Sequence, residues 1–190
     1  MNILNLLNKN QYRIVKLAKG STLFKEGSVC NSVGIIIEGK LKISSFLIDG
    51  KEIIYNELLE NEVFGNNLVF SSNPTYKGDL VALIDSKIAL ITKNELIHIL
   101  STNKEFLVKY LEIQSNFSKK LNDKIKLLSI DSAIERLYYF LYINKNEVSL
   151  SSVQDLAKQL NLSREATSRL ISKLVKEKKI KRTKNTIKMI

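Results

Sequence analysis

The 190-residue sequence has few of the residues that build metal centres and disulfide frameworks. Its only cysteine is Cys30 and its only histidine is His98. A single cysteine excludes a disulfide framework, a zinc site built on paired cysteines and an iron–sulfur cluster held by four of its own thiolates. A single histidine excludes a His-rich metal centre of the cupin type, and we therefore predict a protein that is not an enzyme. Because no apolar run approaches about 18 residues and the N-terminus lacks a secretory pattern, we also predict a cytoplasmic protein without membrane contact.

Glycine, proline and net charge are unevenly distributed along the chain. All seven glycines and the only proline lie before residue 79. Of the net charge of +11, residues 1–110 carry +2 and residues 111–190 carry +9. A basic segment joined to a nearly neutral one indicates a polyanionic partner for the basic segment. The alternative is a lysine-rich surface that only keeps the protein in solution.

Short apolar runs between glycines predict an all-β segment over residues 20–92. The predicted strands are Ser21–Phe24, Val33–Ile37, Leu41–Ile48, Ile53–Leu59, Leu80–Ile84 and Lys87–Ile91. Asp49-Gly50 between two of them predicts a hairpin closed by a type I′ turn, in which both residues have positive φ. Glycines at irregular spacing are typical of the corners of a small roll or barrel.

A long helix is predicted over Ser101–Leu128, where apolar residues recur at spacings of three and four. Its heptad-like seam is Leu107, Tyr110, Gln114, Phe117, Leu121, Lys124 and Leu128. We predict that this helix joins a homodimer, with Leu107, Tyr110, Gln114, Phe117, Leu121 and Leu128 at the interface. The alternative is a helix packed only on its own β domain. Apolar residues off the seam, including Leu111 and Ile125, indicate contacts with two surfaces.

The C-terminal segment has the pattern of a helix-turn-helix. Helices are predicted over Val153–Leu160 and Arg164–Lys178, after an earlier helix over Ala133–Ile143 and a short strand. Asn161 stands at the turn position that needs positive φ, and Ser163 is the predicted N-cap of the second helix. Ile180–Arg182 and Thr186–Met189 are predicted to form a terminal hairpin.

The placement of arginine favours base reading by the second helix of this motif. Only five residues are arginine, and Arg164, Arg169 and Arg182 all lie in this helix or the hairpin after it. The arginine fork pairs bidentately with guanine, and a glutamate accepts a hydrogen bond from cytosine. We therefore predict base contacts by Arg164, Glu165, Ser168 and Arg169. The alternative for Glu165 is an ion pair with Arg169. Phosphate contacts are predicted for Ser151, Ser163, Thr167, Lys173, Arg182 and Lys184.

Four stretches resemble the Crp/Fnr family of transcription regulators. They are KGSTLFKEG at 19–27, IIIEGKLKI at 35–43, VFGNNLVF at 63–70 and LSREATSR at 162–169. The resemblance implies an α+β fold with a cyclic-nucleotide-binding-like β-roll (1–100), a central dimerisation helix (101–129) and a winged helix-turn-helix (130–190). It also implies a homodimer on pseudo-palindromic double-stranded DNA, with RNA polymerase as a further partner.

The sequence departs from the family where a cyclic nucleotide would bind. Asn66 replaces a glutamate, and Tyr76-Lys77 replace an Arg-Ser pair, so a phosphate would lack its arginine fork. We therefore predict that neither cyclic AMP nor an iron–sulfur cluster gates this regulator, and no cofactor is evident. A candidate effector pocket comprises Gly65, Asn66, Tyr76, Lys77, Gln114, Leu121 and Asn122. Three alternatives for the role of the β-roll stay open. It binds a different small-molecule effector, it binds a cyclic nucleotide with Lys77 as a point charge, or it serves only dimerisation.

Overall fold

The structure is a computed structural model that describes residues 3–150, 152–183 and 185–190. The chain divides into two compact units, Met1–Asn116 and Phe117–Ile190, which meet within one long helix. The three-part division predicted from the sequence remains a proposal. Within the described residues, no helix is long and apolar enough to cross a membrane.

The first unit consists of eight strands followed by helices. Its strands are β1 (Arg13–Leu17), β2 (Thr22–Phe24), β3 (Ser32–Glu38), β4 (Leu41–Phe46), β5 (Glu52–Leu58), β6 (Val63–Phe64), β7 (Asp79–Ala82) and β8 (Ser86–Thr92). A 3₁₀ helix precedes them at Ile3–Leu6, and helices α1 (Lys93–Thr102) and α2 (Lys104–Ser129) follow. Thr92 caps α1, because its hydroxyl accepts a hydrogen bond from the Glu95 amide.

Two four-stranded antiparallel sheets form the roll. Their strand orders are β1-β8-β3-β6 and β2-β7-β4-β5. One buried cluster contains Ile36, Leu41, Leu80 and Ile88 from strands of both sheets. A second cluster packs β3 and β8 against α1 and the start of α2, where Phe106 is 1% exposed. The largely buried strands β3 and β8 thus hold the roll and the first turns of α2 together.

The turn of the β4–β5 hairpin differs from the predicted type I′ geometry. Gly50 has a φ of 80°, whereas Asp49 has no positive φ. The Gly50 amide donates to the Leu47 carbonyl, and the Lys51 amide donates to the Asp49 side chain. The turn therefore places one residue, not two, in the left-handed region, as in a type I turn followed by a glycine bulge. The sequence prediction was right about the hairpin and wrong about its turn.

The second unit begins in α2 and contains the remaining helices and strands. They are α3 (Ala133–Ile143), β9 (Glu147–Ser149), α4 (Val153–Leu160), α5 (Arg164–Lys176), β10 (Ile180–Arg182) and β11 (Thr186–Met189). The three strands form an antiparallel sheet in the order β10-β11-β9. One buried cluster joins α3, α4 and α5 to this sheet and includes Leu137, Leu156 and Ile171. The predicted α+β class is confirmed.

Candidate nucleic-acid interface and roll interior

The turn between α4 and α5 has the backbone that the sequence predicts. Asn161 adopts the left-handed conformation with a φ of 52°. The Leu162 amide donates to the Ala157 carbonyl at 2.9 Å, which closes the C-terminus of α4. The Ser163 hydroxyl then accepts a hydrogen bond from the Ala166 amide at 3.1 Å and caps α5. Only three residues separate the two helices, so the turn fixes where α5 begins.

Helix α5 has one buried face and one exposed face. Leu170, Ile171 and Leu174 are buried in the core of the second unit. The predicted base-reading residues Arg164, Glu165, Ser168 and Arg169 are all exposed on the first two turns. Within residues 152–183 no ion pair joins Glu165 to Arg169, so the alternative that pairs these two side chains finds no support in this structure. Four polar side chains of mixed charge are thus displayed together at the start of one helix.

The predicted phosphate contacts lie in different environments. Arg182 is exposed on β10. Lys173 is exposed, with its Nζ 4.0 Å from Oε1 of Glu177 one turn later. Ser163 is exposed and serves as the α5 N-cap, where backbone N–H groups favour an anion. Ser151 and Lys184 lie outside the described residues.

The phosphate contact predicted for Thr167 is wrong, because this residue is buried. Its side chain is fully buried, with 0% exposure. Its hydroxyl donates to the Ser163 carbonyl at 2.9 Å, one turn back in the same helix. Thr167 therefore fills a core position beneath α5, and its hydroxyl is satisfied locally and is not available to DNA.

The exposed apolar face of α2 follows a different register from the predicted seam. Tyr110 is only 4% exposed and packs in the core of the first unit. Leu111, Leu121, Ile125 and Leu128 are between 43% and 56% exposed. The outward series with heptad spacing is Leu107, Leu111, Gln114, Ser118, Leu121, Ile125 and Leu128, in which Leu107 and Gln114 are half-buried and the other five are exposed. Phe117, at 36%, lies beside it. Tyr110 is thus corrected from an interface residue to a core residue, because its ring is already buried within its own unit.

Inside the first unit, Asn66 and Gln114 form a reciprocal pair of hydrogen bonds. Asn66 Nδ2 donates to Gln114 Oε1 at 2.8 Å, and Gln114 Nε2 donates to the Asn66 carbonyl at 2.7 Å. Gln114 Nε2 also lies 3.2 Å from the Tyr110 hydroxyl. Burial raises the pKa of Tyr110 to about 12. The Asn66 loop is therefore bonded to α2 by the chain's own side chains.

Tyr76 and Cys30 lie beside this pair in the roll interior. Tyr76 is 5% exposed, its ring stacks on Phe24 with centroids 4.7 Å apart, and burial raises the pKa of its hydroxyl. That hydroxyl has no hydrogen-bond partner among the described residues. Cys30 is 1% exposed, so its thiol lies in the core of the first unit. Gly65, with a φ of 75°, passes close to both, since a Cβ there would lie 3.2 Å from Cys30 Sγ.

The candidate effector residues are only partly brought together. Gly65, Asn66, Tyr76 and Gln114 are neighbours, whereas Lys77 is exposed and donates to Thr75 Oγ1 at 3.3 Å. Leu121 and Asn122 are exposed on the part of α2 that belongs to the second unit.

The roll interior does not fit a cyclic phosphate. The sequence has no arginine between Arg13 and Arg136. The amide of Asn66 is already bonded, and Tyr76 offers a neutral hydroxyl. A buried phosphate needs charge-assisted donors, and these residues supply none. Among the described residues, no group of three or more His, Cys, Asp or Glu side chains is placed to hold a metal ion.

A family model and a curated relative match this chain. The model described as a cyclic nucleotide-binding domain matches residues 14–103. The anaerobic regulatory protein of Bacillus subtilis is 25% identical over 173 residues, covering 85% of this chain and 73% of that protein.

Solved structures of regulators share the fold. A transcriptional regulator from Thermotoga maritima is 25% identical with a TM-score of 0.61, over 68% of this chain and 98% of that one. FixK2 from Bradyrhizobium japonicum has a TM-score of 0.62 over 94% of this chain and 92% of that chain. At 20% identity, the likeness to FixK2 shows the fold alone.

Proposed function

This chain belongs to the Crp/Fnr family of transcription regulators, and we propose that it binds double-stranded DNA sequence-specifically as a homodimer. It is a transcription regulator with a cyclic nucleotide-binding domain and not an enzyme. The observation that carries the proposal is the exposed group of Arg164, Glu165, Ser168 and Arg169 at the start of α5. Two such helices in a symmetric dimer would enter successive major-groove faces about 34 Å apart.

The chemistry of this group favours base reading over phosphate binding. Arg164 and Arg169 each offer a planar fork that matches the N7 and O6 acceptors of guanine. Glu165 would be repelled by phosphate, so its exposure beside two arginines is best explained by a hydrogen bond from a cytosine amino group. Ser163, Lys173 and Arg182 then supply positioning contacts to the backbone, together with the N-terminus of α5.

In vitro selection from randomised duplexes tests this proposal directly. We expect the wild-type protein to enrich a two-fold pseudo-palindrome. We expect Glu165→Ala to relax the preference at one position of each half-site, at a cost of about 1–3 kcal/mol in discrimination. Glu135→Ala removes a matched exposed glutamate from α3 and should leave the enriched site unchanged. A wild-type selection without an enriched palindrome would contradict the proposal.

The second part of the proposal concerns dimerisation through α2. Its outward heptad series contains five leucine or isoleucine residues on one side of a 26-residue helix, and all of them except the half-buried Leu107 are exposed. An apolar stripe of this length at heptad spacing is the usual seam between two parallel helices. Gln114 and Ser118 interrupt the apolar stripe, which limits the stability that it gives to a dimer.

The third part concerns regulation. We propose that cyclic AMP does not gate this protein, because Asn66 and the neutral Tyr76 stand where the family has charged residues, and Asn66 is already bonded to Gln114. Isothermal titration with cyclic AMP and cyclic GMP should give no heat of binding, and micromolar affinity for either would refute this part. A different small-molecule effector stays open. The prediction that RNA polymerase is a further partner rests on the family resemblance alone.

A further inference from the structure

Arg136 on α3 is an arginine whose side chain points into the second unit and not toward the predicted DNA surface. Its Nε and Nη2 donate to the Ile130 carbonyl at 3.0 and 2.6 Å. Its Nη1 donates to the Leu160 carbonyl at 2.9 Å and to the Asn161 carbonyl at 3.3 Å. One guanidinium therefore bridges the connector between α2 and α3 to the turn of the helix-turn-helix.

Two of the carbonyls that Arg136 binds, those of Leu160 and Asn161, belong to the C-terminus of α4. The last carbonyls of a helix have no partner within it, and the helix dipole places negative charge there. Lys124 on α2 completes the arrangement, because its Nζ donates to the Gln159 carbonyl at 2.8 Å. Three successive carbonyls, those of Gln159, Leu160 and Asn161, thus accept hydrogen bonds from two cations. We call Arg136 and Lys124 the carbonyl clamp.

The clamp acts at the place that determines where α5 begins. Asn161 is the left-handed residue of the turn, and α5 starts only three residues later at Arg164. A shift of the turn relative to α3 would carry Arg164 and Glu165 with it. Bidentate base contacts need accurate geometry, whereas a contact between a lysine and a phosphate tolerates displacement.

We propose that Arg136 is a positioning residue for base recognition, which sets the discrimination between DNA sequences without contacting DNA. This inference rests on the proposed DNA-binding function. A guanidinium suits the role because its planar fork reaches carbonyls of two separate segments at once, which a single ammonium does not reproduce. The donors of Arg136 are occupied by carbonyls of its own chain, so we do not expect it to contact a phosphate or to change the salt slope of binding.

The test measures affinity for a selected operator and for a scrambled duplex by fluorescence anisotropy at several salt concentrations. The full-length wild type is compared with Arg136→Gln, Arg136→Lys and Arg182→Gln. For both Arg136 variants we expect the ratio of operator affinity to scrambled-duplex affinity to fall about tenfold or more, which corresponds to the loss of roughly one bidentate base contact. The salt dependence of binding should stay unchanged. Arg182→Gln is the matched control, and it should lower the slope by about one for both duplexes while keeping the ratio.

The outcomes separate the explanations. An unchanged ratio of operator to scrambled-duplex affinity in a folded Arg136→Gln protein would overturn the inference. A salt slope lowered by one would also overturn it, because it would show that Arg136 contacts a phosphate. Circular dichroism at the assay temperature establishes that each variant is folded, and if Arg136→Gln is unfolded, the charge-retaining Arg136→Lys decides. If Arg136→Lys discriminates between the duplexes as well as the wild type does, a positive charge alone is sufficient for discrimination, and the inference is also overturned. If the wild type itself prefers no duplex, the proposed function fails first.

Discussion

Leu111 provides the sharpest test of which face of α2 joins two protomers. It is 55% exposed, so about half of its side chain remains to be buried in a dimer. Full burial of a leucine contributes about 1.5–3 kcal/mol, and the remaining half about 1 kcal/mol. A two-fold axis places the residue in the interface twice, which doubles the contribution to about 2 kcal/mol. Leu111→Ala should therefore weaken dimerisation about 30-fold. Alanine is the better helix former, so the loss cannot come from helix propensity.

Sedimentation equilibrium over a range of protein concentrations measures this change in the dimer dissociation constant. Val108→Ala is the matched control, because Val108 is 59% exposed on the same helix but lies outside the outward heptad series. It should change the dimer constant several-fold less than Leu111→Ala does, because Val108 lies beside the heptad series and not within it. Equal effects of the two substitutions, or no effect of Leu111→Ala, would refute the assignment of the seam.

Three further predictions test the interior of each unit. Gln114→Ala leaves the buried Asn66 amide without its acceptor and should cost about 1–3 kcal/mol in urea unfolding, whereas the exposed Gln154→Ala should cost little. Asn161→Val should destabilise the second unit by roughly 1–2 kcal/mol in thermal unfolding, because a β-branched residue resists the φ of 52°, and Asn161→Gly should not. The pKa of Tyr110 is about 12 in the folded protein against 10.0 ordinarily, so its contribution to stability is complete below pH 10 and is lost as the pH rises toward 12. Urea unfolding over that range should show a shallower loss for Tyr110→Phe than for the wild type.

The helix-turn-helix could be predicted from the sequence almost residue by residue. Each of its signals is local, since Asn161 marks the left-handed turn and Ser163 marks the N-cap of α5. The exception is Thr167, whose burial is decided by its neighbours in the core and whose hydroxyl donates to the Ser163 carbonyl one turn back.

The roll interior and the carbonyl clamp could not be predicted in the same way. The hydrogen bonds between Asn66 and Gln114 join residues 48 positions apart, and those from Arg136 to Leu160 span 24. Neither pairing has a periodic signal in the sequence. The scarcity of arginine was the one hint, because Arg136 lies outside the recognition helix and has no evident partner in its own segment.

By itself, the sequence determined the order of its three parts, which are a β segment with glycines at its turns, a long helix and a basic helix-turn-helix. It could do so because strand and helix periodicity, helix caps and charge are local properties. It also supplied the departures at Asn66 and Tyr76. Only the tertiary structure decided the outward face of α2. Two heptad series share Leu107, Gln114, Leu121 and Leu128, and the sequence alone supports both. Burial of Tyr110 in the roll core turns Leu111 outward, since residues adjacent along a helix point about 100° apart.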